Sequence, residues 1–186
     1  NIEELSNILD KKNIISGTTS QGATLVRPGE ILYAGEGPTF IGELDGVITN
    51  RVLKIASVFN KAGLETKIVS NILEKIWLKV IVNTVLNPIT ALARIKNGDI
   101  IKYPSLESLS KKVMIESLQV PVKLGIKIDS QLVWDAFINV VESTSGNNSS
   151  MLQDVLNKKH TEIESLNGKI IRVRNGLLSK LMIIDG

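Results

Sequence analysis

The sequence predicts a short α/β segment followed by an all-α helical domain. Three observations carry this prediction. Residues 1–69 contain β-branched runs cut by strong turn signals, residues 70–186 contain long apolar patterns with helical spacing, and hydroxyl residues stand at helix-start positions in the second part.

Taken in order, Ile2 to Leu9 reads as a short helix. Asn13 to Thr19, Ala23 to Arg27, Glu30 to Ala34 and Thr39 to Leu44 read as strands, because Pro28-Gly29 and Gly35-Glu36-Gly37-Pro38 punctuate them. Asn50 reads as the N-cap of a helix reaching Ala62, with Gly63 as its C′ residue and Glu65 to Val69 as one more strand. From residue 70 the pattern is helical: Ile72 to Leu92, Ser105 to Leu124, Ser130 to Glu142, Met151 to Asn157 and Glu162 to Leu178. Ser150 with Gln153, and Thr161 with Glu164, have capping-box spacing.

An apolar fraction of 43% is ample for a core, and a net charge of +3 without a basic run gives nucleic acid binding little support. The chain has no cysteine, so disulfides and thiolate chemistry are excluded, and a single histidine, His160, cannot hold a metal alone. No metal site is expected. The first residues carry no basic or apolar leader pattern, and the chain reads as a piece of a larger protein. The apolar stretch from Ile76 to Leu86 is interrupted by Lys79, Asn83 and Thr84 and reads as too short to span a bilayer, so a soluble, cytoplasmic protein without a membrane partner is expected.

The segment from Ile76 to Pro88 is the most informative. As a helix it is apolar on nearly every face and should be buried, yet Lys79, Asn83 and Asn87 follow one another at four-residue intervals. They form a single polar stripe that drifts by about 40° per step. Buried polar groups are costly without partners, and a ligand is one such partner. Alternatively, the stripe faces solvent, or Lys79 pairs with a nearby glutamate and the asparagines cap and kink the helix at Asn87-Pro88. The β-propensity of Val80-Ile81-Val82 competes with the helix reading. The polar stretch from Gly146 to Ser150 precedes a helix start and suits an anion.

Two longer blocks carry a resemblance. Trp77-Leu78-Lys79 through Asn83, with Asn87-Pro88-Ile89-Thr90-Ala91-Leu92 and Asn97-Gly98, resembles the first. The second spans Asn147-Asn148-Ser149-Ser150-Met151-Leu152-Gln153-Asp154, Thr161-Glu162-Ile163-Glu164 and Asn167-Gly168. Both look like the pattern of the ketopantoate reductase (2-dehydropantoate 2-reductase) family. Gly17 to Ala23, Pro28-Gly29 and Ile41-Gly42 also match the last part of that family's nucleotide-binding domain.

The resemblance implies an α/β remnant of a Rossmann-type domain over residues 1–69. It implies a helical substrate-binding domain over 70–186, similar to that of 6-phosphogluconate dehydrogenase. It implies NADPH as cofactor and ketopantoate as substrate, in the synthesis of pantothenate and coenzyme A. By the same resemblance Lys79 is the general acid, Asn83, Asn87, Asn97, Asn147 and Ser150 bind substrate, and Ala23 and Glu162 meet the cofactor. For Ser150 and Glu162 the plain readings as an N-cap and a first-turn charge stay open.

The chain departs from the family in three ways, one being that the family's Asn-Gly segment, expected just upstream of residue 1, is not in this sequence. It has no G-x-G-x-x-G, so a pyrophosphate-binding loop is not expected, and the chain alone is expected not to reduce ketopantoate. Its end, from Arg172 to Gly186, lacks the family's proline-containing turn. Rival readings keep the fold and change the substrate to another 2-keto or 3-hydroxy acid, or take the chain as a non-catalytic dimerisation module. The apolar helices admit a homodimer.

Overall fold

The computed structural model describes residues 2–184, with side chains up to residue 176 other than those of Glu3, Thr24 and Ala34. It separates into two compact units, residues 1–76 and 77–186. The division falls inside a helix, whereas the sequence pattern changes at residues 69 and 70.

The first unit begins with α1 (Ile2–Ser6) and a 3-10 turn (Lys11–Asn13). Strand β1 (Ile15–Thr19) pairs antiparallel with β4 (Thr39–Glu43), and β5 (Thr66–Ile68) pairs with β4 in parallel. Between β1 and β4 the chain makes a separate antiparallel hairpin, β2 (Gly22–Arg27) and β3 (Glu30–Gly35). Helix α2 (Asn50–Lys61) covers the three-stranded sheet, with Val52 and Ala56 packed on Ile41.

The N-cap of α2 is Thr49 and not Asn50, because the Thr49 hydroxyl accepts from the Val52 amide at 3.4 Å while Asn50 is already helical. The same threonine donates to Glu43, at 2.5 Å, and that carboxylate also takes Arg51. The helix stops where Gly63 turns to φ +83°, a conformation that a side chain makes costly.

Helix α3 (Ile72–Ala93) runs into the second unit, which is all-helical. It continues with a 3-10 stretch (Asn97–Lys102), α4 (Pro104–Lys123), α5 (Ser130–Ser143), α6 (Ser150–Leu156), a π-helical turn (Glu164–Gly168) and α7 (Lys169–Ile184). The core centres on Ile81, Val82, Val85, Leu86 and Ile89 of α3, packed with Met114 and Leu118 of α4 and with Val133, Phe137 and Val141 of α5. Burial of an apolar face outweighs the β-propensity of Val80 to Val82, so this run stays helical.

Two further expectations are corrected. Residues 162 to 178 do not form one α-helix, because the π-helical turn intervenes before α7. Helix α3, at 22 residues, is long and apolar enough to cross a membrane, which overturns the reading of that segment as too short. Half of its most apolar window is nevertheless buried within the protein, as in the core helix of a globular domain.

Candidate functional site

The polar stripe on α3 exists, but it is not uniformly buried. Lys79 is exposed, Asn83 is half-buried, and Asn87 retains only 3% exposure. The physical reason is the drift of a four-residue repeat around a 3.6-residue helix, which winds the stripe from the open side of α3 into its packed side. Although more than a third of the Lys79 surface meets solvent, the surrounding protein holds its ammonium below the usual lysine range by desolvation. The negative charge of Glu162 acts in the opposite direction and partly offsets this. The two predicted charged residues therefore sense each other.

Asn87 meets the loop before α6. Its Nδ2 donates to the Ser150 hydroxyl at 3.3 Å, and one turn further along α3 the Thr90 hydroxyl shares a hydrogen with that of Ser149 at 2.6 Å. Thr90 is fully buried and also bonds back to the Leu86 carbonyl at 2.8 Å. The N-cap of α6 is Ser149, whose hydroxyl accepts from the Leu152 amide at 3.1 Å. This corrects the Ser150–Gln153 capping box: Gln153 instead donates to the Asn148 carbonyl at 3.0 Å, and the exposed Ser150 hydroxyl faces Asn87. The capping box of Thr161 and Glu164 does not form either. The Thr161 hydroxyl lies 3.5 Å from the Ile163 amide, at the limit of a hydrogen bond, and Glu164 pairs with Arg172 at 3.0 Å.

Asn97 and Gly98 fasten the same loop from beneath. The Asn97 amide donates to the Asn147 carbonyl at 3.0 Å, its Nδ2 donates to the Thr144 hydroxyl at 2.8 Å, and the Gly98 amide donates to the Ser145 carbonyl at 3.2 Å. A Cβ on Gly98 would sit 2.6 Å from Ser145 Cβ, so only glycine permits this approach. The Asn97 side chain is buried and engaged by protein through its Nδ2, and Asn147 is exposed. Ala23 lies exposed on β2, in the first unit, opposite Tyr33 of the hairpin.

The second unit thus carries Lys79, Asn83, Asn87, Ser150 and Glu162 on and around α3, with Asn97 bonded to the backbone of Asn147 within the serine loop. Sequence reasoning assigned no role to Thr90, Ser149 or Asn167. Asn167 Nδ2 donates to the Thr84 carbonyl at 3.1 Å across the unit. Its only signal was its place in the quoted Asn-Gly pair. A depression of about 620 Å³ in the first unit, lined by Lys11, Lys12, Glu43, Asp45, Thr49 and Arg51 among others, contains none of the predicted residues. Among the described residues no cluster of three or more metal-ligating side chains occurs. Chemically, the α3 site offers a cation with a loosened proton, a carboxylate beside it, and amide and hydroxyl groups for a small oxygen-rich molecule.

Comparison with known proteins gives this arrangement a family. Residues 71–175 match the model of the family "Ketopantoate reductase PanE/ApbA C terminal". The chain is 38% identical to the 2-dehydropantoate 2-reductase of Archaeoglobus fulgidus over 161 residues, which is 87% of this chain and 54% of that protein. It is 40% identical to that of Pyrococcus horikoshii over 157 residues, 84% of this chain and 52% of that protein. The chain therefore spans about half the length of these relatives. Among solved structures, a PanE/ApbA family ketopantoate reductase from Ralstonia eutropha is similar with a TM-score of 0.83 at 25% identity, over 95% of this chain and 57% of that one. A D-mandelate dehydrogenase in complex with NADH shares the fold with a TM-score of 0.87 at 23% identity, over 94% of this chain and 59% of that one. With a family model covering more than half of its residues, the chain belongs to the ketopantoate reductase family.

Proposed function

We propose that the chain is the substrate-binding part of a 2-dehydropantoate 2-reductase, which reduces the ketone of ketopantoate to the alcohol of pantoate with NADPH in pantothenate and coenzyme A synthesis. The observation that carries this reading is the position of Lys79. It combines a desolvated ammonium with a carboxylate, Glu162, and lies on the same helix as Asn87, about two turns before the Asn87–Ser150 contact.

The reaction needs such a group. As the ketone carbon accepts hydride, negative charge grows on its oxygen, and Lys79 donates a proton from Nζ to that oxygen, leaving a neutral amine that regains a proton from solvent. Desolvation that lowers the lysine pKa makes the proton easier to give, and Glu162 keeps the group charged until it is needed. Asn83, Asn87 and Ser150 orient the carboxylate and hydroxyl of the substrate, and Asn97 and Asn147 hold the serine loop where Ser150 can act.

A nicotinamide cofactor supplies the hydride when bound. Towards it the second unit offers the exposed Glu162 carboxylate, which suits ribose hydroxyls, while the sequence has no glycine-rich loop for a pyrophosphate. Residues 1–69 are read as the remnant of a Rossmann-type domain, the helical unit as similar to that of 6-phosphogluconate dehydrogenase, and the protein as a cytoplasmic homodimer.

The test joins this chain to the amino-terminal half of the Archaeoglobus fulgidus relative and compares it with a Lys79→Ala variant. Loss of a proton donor should lower the turnover of ketopantoate by about 10²–10⁴-fold. An unchanged rate refutes the assignment, and a faster rate on another 2-keto acid replaces the substrate while keeping the site.

A further inference from the structure

Helix α3 carries a proline in its interior, Pro88, which has no amide hydrogen. In a regular α-helix that amide would donate to the carbonyl four residues earlier, which is that of Thr84. The open carbonyl is taken instead by Asn167 Nδ2 at 3.1 Å, from a residue 83 positions away in the chain. Asn167 belongs to a turn with little slack. The Glu162 carbonyl accepts from the Ser165 and Leu166 amides at 3.0 and 2.9 Å, and the Gly168 amide donates to the Ile163 carbonyl at 3.0 Å. Glu162 and Asn167 are therefore two ends of one hydrogen-bonded unit. Asn167 Oδ1 is buried without a partner, so its donor end is what the fold uses.

We propose that Asn167 is a positioning residue: by replacing the amide that Pro88 removes from α3, it fixes the turn bearing Glu162 against the α3 face bearing Lys79. The geometry stands independently of any substrate, whereas its importance for catalysis rests on the reductase reading. Thr84, Asn87 and Pro88 belong to the same stretch of α3, so one contact both completes the helix beside the polar stripe and sets the height of the carboxylate over the lysine.

The experiment uses the full chain without substrate, so its failure is separate from failure of the reductase assignment. Unfolding temperatures are measured for Asn167→Ala, Pro88→Ala and the double variant, and the Lys79 ammonium is titrated by NMR in each, with Glu162→Gln for comparison. Asn167→Ala should lower the midpoint by roughly 5 °C. In the Pro88→Ala background the same change should cost less than half as much, because the new amide takes the Thr84 carbonyl. Asn167→Ala should also move the Lys79 titration downward, in the direction given by Glu162→Gln, and adding it to Glu162→Gln should move it little further. Equal thermal costs in the two backgrounds overturn the proposal. So does a Lys79 titration that responds to Glu162→Gln but not to Asn167→Ala, or one that responds to neither. If Asn167→Ala does not fold, recovery of a folded chain by Pro88→Ala supports the proposal, and no recovery refutes it.

Discussion

Replacing Gly98 by alanine probes how closely the 3-10 stretch after α3 rests on the serine loop. The added Cβ would lie 2.6 Å from Ser145 Cβ, 3.0 Å from its Cα and 3.1 Å from its carbonyl oxygen. Ordinary carbon contacts need about 3.5–4.0 Å, and two of the obstructing atoms are backbone, so rotamer changes alone cannot make room. Relief requires the chains to part by roughly 1 Å, which stretches the Asn97–Asn147 and Gly98–Ser145 hydrogen bonds from their present 3.0 and 3.2 Å.

Overpacking of this kind costs about 1–3 kcal/mol, weakening two hydrogen bonds adds about 1–2, and the stiffer unfolded chain returns about 0.4–1. The net loss is about 1–4.5 kcal/mol. For a chain of this size that is a fall of roughly 2–18 °C in Tm. Both tryptophans, Trp77 and Trp134, belong to the second unit, so tryptophan fluorescence during heating or urea unfolding reports on the affected unit. Gly146, where an added Cβ meets nothing within 4 Å, serves as the control and should tolerate alanine. Equal melting of the Gly98→Ala and Gly146→Ala proteins would refute the reasoning.

Two further outcomes follow from the site. Ser149→Ala removes the N-cap of α6 and the partner of the buried Thr90 hydroxyl, and should cost about 1–2 kcal/mol in urea unfolding, whereas Ser150→Ala should cost less than about 0.5; the reverse order would restore Ser150 as the cap. Lys79 has a lowered pKa in the folded chain, so its charge opposes folding in full below that pKa, and the opposition disappears as pH rises through the unfolded value. Lys79→Met should therefore stabilise the chain at neutral pH by less than about 1 kcal/mol, the side chain being more than a third exposed. It should also lack the part of the wild-type gain in stability that appears as pH approaches the unfolded lysine pKa, and urea titrations at several pH values check both effects.

Periodicity and turn chemistry located most elements within a residue or two, because α3, α4 and α5 each turn an apolar face to one core and the glycines and prolines of the first unit break the chain where strands end. Caps were legible only as neighbourhoods. Thr49 and Asn50, or Ser149 and Ser150, are chemically equivalent choices in one dimension, and Glu43 and Thr90 favour one of each pair from across the fold. The π-helical turn was not read because apolar spacing continues on both sides of Asn167-Gly168, through Ile163, Leu166 and Ile170, and the contact from Asn167 to Thr84 is tertiary. Of the candidate site, the order of Lys79, Asn83 and Asn87 on one stripe could be read from spacing, but their graded burial could not, since it depends on which helices pack against α3. Asn97 looked like one more amide of that set, and only the packed structure reveals that its Nδ2 is engaged by Thr144.

The interior proline of α3 also has a consequence in time. Its open Thr84 carbonyl is closed by a residue 83 positions later. At a synthesis rate of about 5–20 residues per second, the ribosome makes that residue roughly 4–17 s after the helix, an interval in which water must serve the carbonyl. The middle of α3 is thus among the first parts of the second unit to be translated and among the last to be sealed.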